Sequence, residues 1–156
     1  EFHRLIRGTG SIGWRERVYD LRTIGSVGSP TFAFNLAWLP TEMLTVLALG
    51  SEEFADSPIT TANGSSAIID IRTMQVEADY EFTPQWVGTA SAGYATYDYS
   101  STGRADAVKS LGASLLYRMN HNMAWTAQYK LSSRGSNQAG FGYERQQIGL
   151  ALKVQY

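Results

Sequence analysis

The chain of 156 residues has the length of one domain, with 13 basic against 14 acidic residues, a net charge of −1 and no cysteine. That balance gives no electrostatic signal for nucleic acid, and the absent thiols exclude a disulfide framework and thiolate metal ligands. No apolar run approaches the roughly 18 residues of a membrane helix, so any spanning must fall to strands, whose alternate polar residues dilute the hydropathy.

Period-two alternation runs through the whole chain. The first predicted strand sets Ile6, Gly8, Gly10, Ile12 and Trp14 against Arg7, Thr9, Ser11, Arg15 and Arg17. A Gly/Ser-rich loop is expected from Tyr19 to Pro30. The second strand opposes Phe32, Phe34, Leu36 and Trp38 to Ala33, Asn35 and Ala37, and stops at Pro40. Thr41 and Glu42 turn tightly into a third strand, Leu44 to Ser51, whose facing is open because Leu47 and Leu49 oppose Val46 and Ala48.

A polar loop, Glu52 to Ser65, precedes the fourth strand, where Met74, Val76, Ala78, Tyr80 and Phe82 oppose Thr73, Gln75, Glu77 and Asp79. Thr83, Pro84 and Gln85 form a turn, and the fifth strand aligns Trp86, Gly88, Ala90, Ala92 and Tyr94. After a polar loop from Asp98 to Asp106, Leu111, Ala113, Leu115, Tyr117 and Met119 alternate with Ser110, Gly112, Ser114 and Arg118. Asn120, His121 and Asn122 turn the chain into a seventh strand, with Trp125, Ala127, Tyr129 and Leu131 on one parity and Thr126, Gln128, Lys130 and Ser132 on the other. A loop from Ser133 to Gly142 leads to the last strand, Gln146 to Tyr156, where Ile148, Leu150, Leu152, Val154 and Tyr156 share a face.

Tight connections near Pro40, Pro84 and His121 thus alternate with long polar ones. The expected fold is all-β: an antiparallel up-and-down transmembrane β-barrel with eight strands visible in a single domain, residues 1–156. Aromatic placement supports it. Trp38, Tyr80, Phe82, Trp86, Tyr117, Trp125 and Tyr156 lie near tight turns or the C-terminus; Trp14, Phe32, Tyr94 and Tyr143, with Tyr19, Tyr97 and Tyr99, lie towards the long loops. These make two rings like the girdles at membrane interfaces, whereas the core of a soluble sandwich would scatter aromatics along its inward face.

Arg7, Arg15, Arg17, Glu77, Asp79, Arg118, Lys130 and Lys153 fall on the polar parity among Ser, Thr, Gly and Gln, and are expected to face the lumen. The rival is a soluble lipocalin-like ligand carrier with its apolar residues inward. Small polar residues suit the crowded concave side of a sheet and bulky apolar ones the convex side, which favours lipid outside. Gly88, Ala90 and Ala92 leave the lipid face of strand five bare, an expected site of approach by another protomer, a lipid or a partner protein; ordinary tolerance of a lipid-facing surface is the blander reading.

Catalytic chemistry is not expected. His3 and His121 have no partner cluster for a metal and do not lie where a triad base would be needed, and no helix follows the glycines to cradle a phosphate. Glu52, Glu53 and Asp56 with Asp98 or Asp106 read as solvated loop carboxylates before they read as a cation site. No cofactor is expected.

With these elements in place the chain resembles a bacterial outer-membrane β-barrel. Its end, Leu150-x-Leu152-x-Val154-x-Tyr156, is similar to the C-terminal signal read by the barrel-assembly machinery. Gly10-Ser11-Ile12-Gly13-Trp14-Arg15, Leu36-Ala37-Trp38-Leu39-Pro40-Thr41-Glu42 and Ala90-Ser91-Ala92-Gly93-Tyr94 resemble stretches of an outer-membrane β-barrel porin family often encoded with exopolysaccharide or capsule loci. That resemblance implies an outer-membrane location with both termini periplasmic, and lipid, lipopolysaccharide and the assembly machinery as partners. It also implies a homo-oligomer or an envelope complex, no nucleic acid, and no catalytic residues. Barrels of that family look larger, their C-terminal portion matching this chain.

The chain begins at Glu1 without a leader, so it is expected to be either a processed mature protein or a piece of something longer. Eight strands alone would bury the polar-face charges as a mutually paired network, while about sixteen would set them against water and bias passage towards anions or acidic sugars. A pore or export component therefore stands beside a non-conducting structural or adhesive barrel acting through its loops.

Overall fold

Strict alternation gives each strand one face that must leave water and one that must stay wet, and pairing neighbours in register keeps those faces continuous. The computed structural model describes residues 5–18, 26–60, 66–100 and 102–155, with side chains apart from those at 17–18, 26–27, 56–60 and 66–68. Eight strands follow one another: β1 (Ile6–Val18), β2 (Ser26–Trp38), β3 (Leu44–Thr60), β4 (Ser66–Thr83), β5 (Trp86–Tyr99), β6 (Arg104–Arg118), β7 (Met123–Ser136) and β8 (Tyr143–Val154). They form one antiparallel meander in the order β1-β2-β3-β4-β5-β6-β7-β8. Among the described residues each strand touches only its neighbours in sequence, and β1 and β8 are free edges.

The tight connections sit where expected. At two of them a threonine hydroxyl accepts the backbone N–H that opens the next strand: Leu44 N bonds Thr41 Oγ1 at 3.0 Å, and Trp86 N bonds Thr83 Oγ1 at 3.1 Å. At the opposite, far end the expected long loops are largely strand. Glu52 pairs with Arg72 and Phe54 with Asp70, so most of the 52–65 stretch extends the β3–β4 hairpin. Pro30 pairs with Trp14 inside β2, Asp98 with Ala105 in β5–β6, and Ser133 with Glu144 in β7–β8. A hairpin continues for as long as its backbone groups find partners, and polar side chains on both faces do not stop it. Gly103 (φ 63°) and Gly140 (φ 87°) supply the left-handed backbone of two far-end turns.

Register also settles β3. Leu44, Val46, Ala48 and Gly50 pair with Tyr80, Ala78, Val76 and Met74 and share their apolar face, while Leu47 and Leu49 lie opposite Glu77 and Gln75 on the polar one. Across the sheet the apolar face is exposed, reaching 92% at Ile12 and 86% at Ile148 on the two edge strands.

The glycines on this face are not equivalent. A Cβ at Gly50 would lie 2.2 Å from Phe34 Cε1, and one at Gly88 would lie 2.6 Å from Phe82 Cε2, so both rings lie over bare backbone. At Gly10 the nearest such atom is 4.0 Å away. Gly50→Val should therefore displace Phe34 and cost about 1–3 kcal/mol by overpacking, with Gly10→Val far milder. Denaturant titration of the two variants side by side measures the difference.

Candidate functional site

The polar face is a set of lateral rows fixed by register. Through the middle, Arg7, Ala37, Leu47, Glu77, Ser91, Gly112, Lys130 and Gln147 lie on one line across all eight strands. Nearer the tight turns, Asp79, Thr89, Ser114 and Gln128 form a second row, and Arg118, Ala124 and Lys153 form part of a third. Arg15 stands opposite Ser29 on the same face. Register thus brings Arg7, Arg15, Glu77, Asp79, Arg118, Lys130 and Lys153 onto one surface; the side chain of Arg17 lies outside the described residues.

These charges do not form the mutually paired network expected of a filled barrel. The ion pairs among the described residues are Arg72–Glu52, Arg72–Asp70, Arg104–Asp106 and Arg134–Asp106, and none includes those seven. Asp79 Oδ1 instead accepts from Thr89 Oγ1 at 2.6 Å, and Arg118 Nη1 donates to the Pro84 carbonyl at 3.0 Å. The reason is spacing. Glu77 and Lys130 are three strands apart, about 14 Å at roughly 4.8 Å per strand, and no strand among the described residues stands opposite them.

Alternation adds Glu53, Glu81, Arg104, Asp106, Arg134 and Arg145 to this face. Three of these form a buried charge cluster, beyond the apolar band at the far end. Asp106 is 3% exposed and receives Arg104 Nε at 2.9 Å and Arg134 Nε at 3.1 Å. Burial alone would raise the Asp106 carboxyl, but hydrogen bonds from Arg104, Ser136 and Arg134 outweigh it and hold its pKa at about 2. The Arg104 guanidinium stacks 3.7 Å from the Phe141 ring centroid and 4.6 Å from that of Tyr99. Asn137 bonds Ala105 N and the Gly103 carbonyl, each at 2.9 Å, which fastens the β7–β8 connection over the β5–β6 hairpin.

A second charged group lies at the far end of the apolar face. Arg72 spans Glu52 and Asp70 at 2.9 Å each. Here burial dominates: it raises the Asp70 pKa against the pull of Arg72, with Glu52 and Asp98 adding to the rise. The carboxylates considered together as a cation site are split, Glu52 and Asp98 on the apolar parity, Glu53 and Asp106 on the polar one. Asp56's side chain and His3 lie outside the described residues.

The turn-end aromatics Trp38, Tyr80, Phe82, Trp86, Tyr117 and Trp125 all occupy the apolar face. Trp86 stacks on Tyr117 at 4.4 Å between centroids, Tyr80 meets Phe82 edge-on at 4.9 Å, and Trp125 Nε1 lies 3.1 Å from Met119 Sδ. At the far end Trp14, Phe32 and Tyr94 share that face. Tyr143 does not: it pairs with Arg134 on the polar side, as Tyr97 does with Asp106. Tyr19 and Tyr156 lie outside the described residues.

In the terminal pattern, Leu150, Leu152 and Val154 lie on the apolar face opposite Ala127, Trp125 and Met123. Of the stripe on β5, Ala90 sits between Ala78 and Ala113, and Ala92 between Val76 and Leu111. Gly88 is not bare, because Phe82 covers it.

Between the last charges at the far end and the turn-end ring, the apolar face carries no acidic or basic side chain on β4 from Met74 to Phe82 or on β6 from Leu111 to Tyr117. Trp86 and Tyr94 bracket the same interval on β5, eight residues or about 27 Å along the strand. That matches an apolar band about 25 Å tall between two aromatic belts. Searches among curated proteins and among solved structures found no match. A family model does match, along residues 1–156. A charged face, an apolar band on the opposite face and aromatic residues near both ends of that band agree with it: the chain belongs to the family described as "Putative beta-barrel porin 2".

Proposed function

We propose that the protein is a non-enzymatic outer-membrane pore component whose eight strands are a section of a wider wall. The observation that carries this is the pair of free edges. β1 and β8 each present an unpaired backbone edge, while side chains beside it, Ile12 and Ile148, are almost fully exposed. In hydrocarbon every unpaired backbone group costs several kcal/mol, and in this reading strands beyond these eight satisfy the two edges. The unpaired charges of the polar face then line water. Basic groups outnumber acids there, which favours anions.

The tight turns and the end of β8 lie on the periplasmic side in this reading, with Leu150, Leu152 and Val154 presented to the assembly machinery. The extended far-end hairpins stand among lipopolysaccharide headgroups. Reconstitution into planar bilayers tests it: discrete conductance steps with anion permeability above cation permeability are expected. A protein that inserts and never conducts would leave the non-conducting structural or adhesive role. Native strand content in solution without detergent would remove the membrane altogether.

A further inference from the structure

The signs of the polar-face charges are segregated sideways. Among the described side chains, the acids Glu53, Glu77, Asp79 and Glu81 belong to β3 and β4. Strands β6 to β8 carry basic groups, and their single acid, Asp106, is consumed by Arg104 and Arg134. Between the two sides, β5 and β6 offer small residues at mid-height. At Gly112 the small Ser91 hydroxyl leans over the backbone, where a Cβ would lie 2.5 Å from Ser91 Oγ. A groove of about 190 Å³ crosses this floor and is lined by both Glu77 and Lys130, with Thr89 and Gln128 along its side.

We infer that this groove is a transverse, bipolar subsite that orients a zwitterionic solute across the channel, cationic end towards Glu77 and anionic end towards Lys130. The inference rests on the pore reading. Neither pole is neutralised by an ion pair with a described residue, so both fields extend into the lumen. The poles stand about 14 Å apart at the backbone, less the reach of two long side chains. That leaves room for a short solute with separated charges. An apolar solute of equal size must displace the water that the field orders, whereas a dipolar one aligns with it.

Swelling of proteoliposomes carrying the full-length protein tests this, with 6-aminohexanoate as the zwitterion and xylitol as the neutral reference. The paired variant Glu77→Gln/Lys130→Gln leaves the net charge of the lining unchanged. The 6-aminohexanoate rate relative to xylitol should fall about threefold, the scale of one solvent-exposed charge pair, while the anion-to-cation ratio stays put. The exchange variant Glu77→Lys/Lys130→Glu restores two poles and should recover the relative rate. Folding of each variant is checked by its migration in unheated detergent gels. Swelling with an unchanged solute ratio in both variants overturns the subsite alone. If the wild-type protein admits neither solute, the pore reading falls and the subsite falls with it.

Discussion

An arginine placed at Ala113 is expected to destabilise the fold in phospholipid vesicles by about 2–4 kcal/mol, the cost of a charge near the middle of a band read as lipid-facing. Ala113 lies on the apolar face of β6, four residues from Tyr117 in the turn-end ring and four from Lys109 at the far end of the band. Its row holds Ala78, Ala90 and Tyr129, which offer the guanidinium no acid. The adjacent Ser114→Arg points to the polar face, between Thr89 and Gln128, and should cost much less.

The decisive quantity is the depth profile. Arginine substituted along the apolar parity at Leu111, Ala113 and Leu115 should cost most in the middle and about 1 kcal/mol or less near the rings. Denaturant titrations in vesicles measure each position. In a soluble carrier the apolar face would line an enclosed cavity, and the cost would follow packing and not height. A flat profile, or equal costs at Ala113 and Ser114, would therefore refute lipid as the solvent of this face.

What could be read from the chain alone depended on whether a signal was local. Alternation in β8 or β4 is local, because each residue's face follows from its neighbours. β3 was not legible in this way, since Leu47 and Leu49 on the polar face match Val46 and Ala48 in hydropathy; only pairing of Leu47 with Glu77 and of Ala48 with Val76 assigns them. The far-end hairpins read as loops because a strand with polar residues on both faces has no hydropathic period. That error hid the Arg104–Asp106–Arg134 cluster, whose members lay in two supposed loops. Tyr143 was different, because a signal existed. Counting back by twos from Gln147 reaches Tyr143 on the polar parity, and the same count from Glu77 along the paired strands puts Tyr97 there. Closure was illegible for a physical reason: alternation fixes the face of each residue but not the partner of an edge strand, and β1 and β8 pair with no further strand among the described residues.

The buried cluster supports the second large effect. Asp106→Asn keeps the shape of the side chain but leaves Arg104, stacked between Tyr99 and Phe141, beside Arg134 with no counter-charge. Removing one partner of a buried ion pair costs on the order of 3–5 kcal/mol. The cluster lies beyond the apolar band, so the loss should appear as local opening of the β5–β6 and β7–β8 ends: faster amide exchange at Ala105 and Asn137, with the rows near Glu77 unchanged. Arg104→Gln in the Asp106→Asn background should recover part of the protection, because the uncompensated charge is then gone. Acid gives an independent readout. The Asp106 pKa is lowered, from near 3.9 in an unfolded chain to about 2. Its stabilisation is therefore fully present above the unfolded value and lost as pH falls through about 2. Protection at Ala105 in the wild-type protein should decline over that interval, and in Asp106→Asn it should be low already at neutral pH, with no further step.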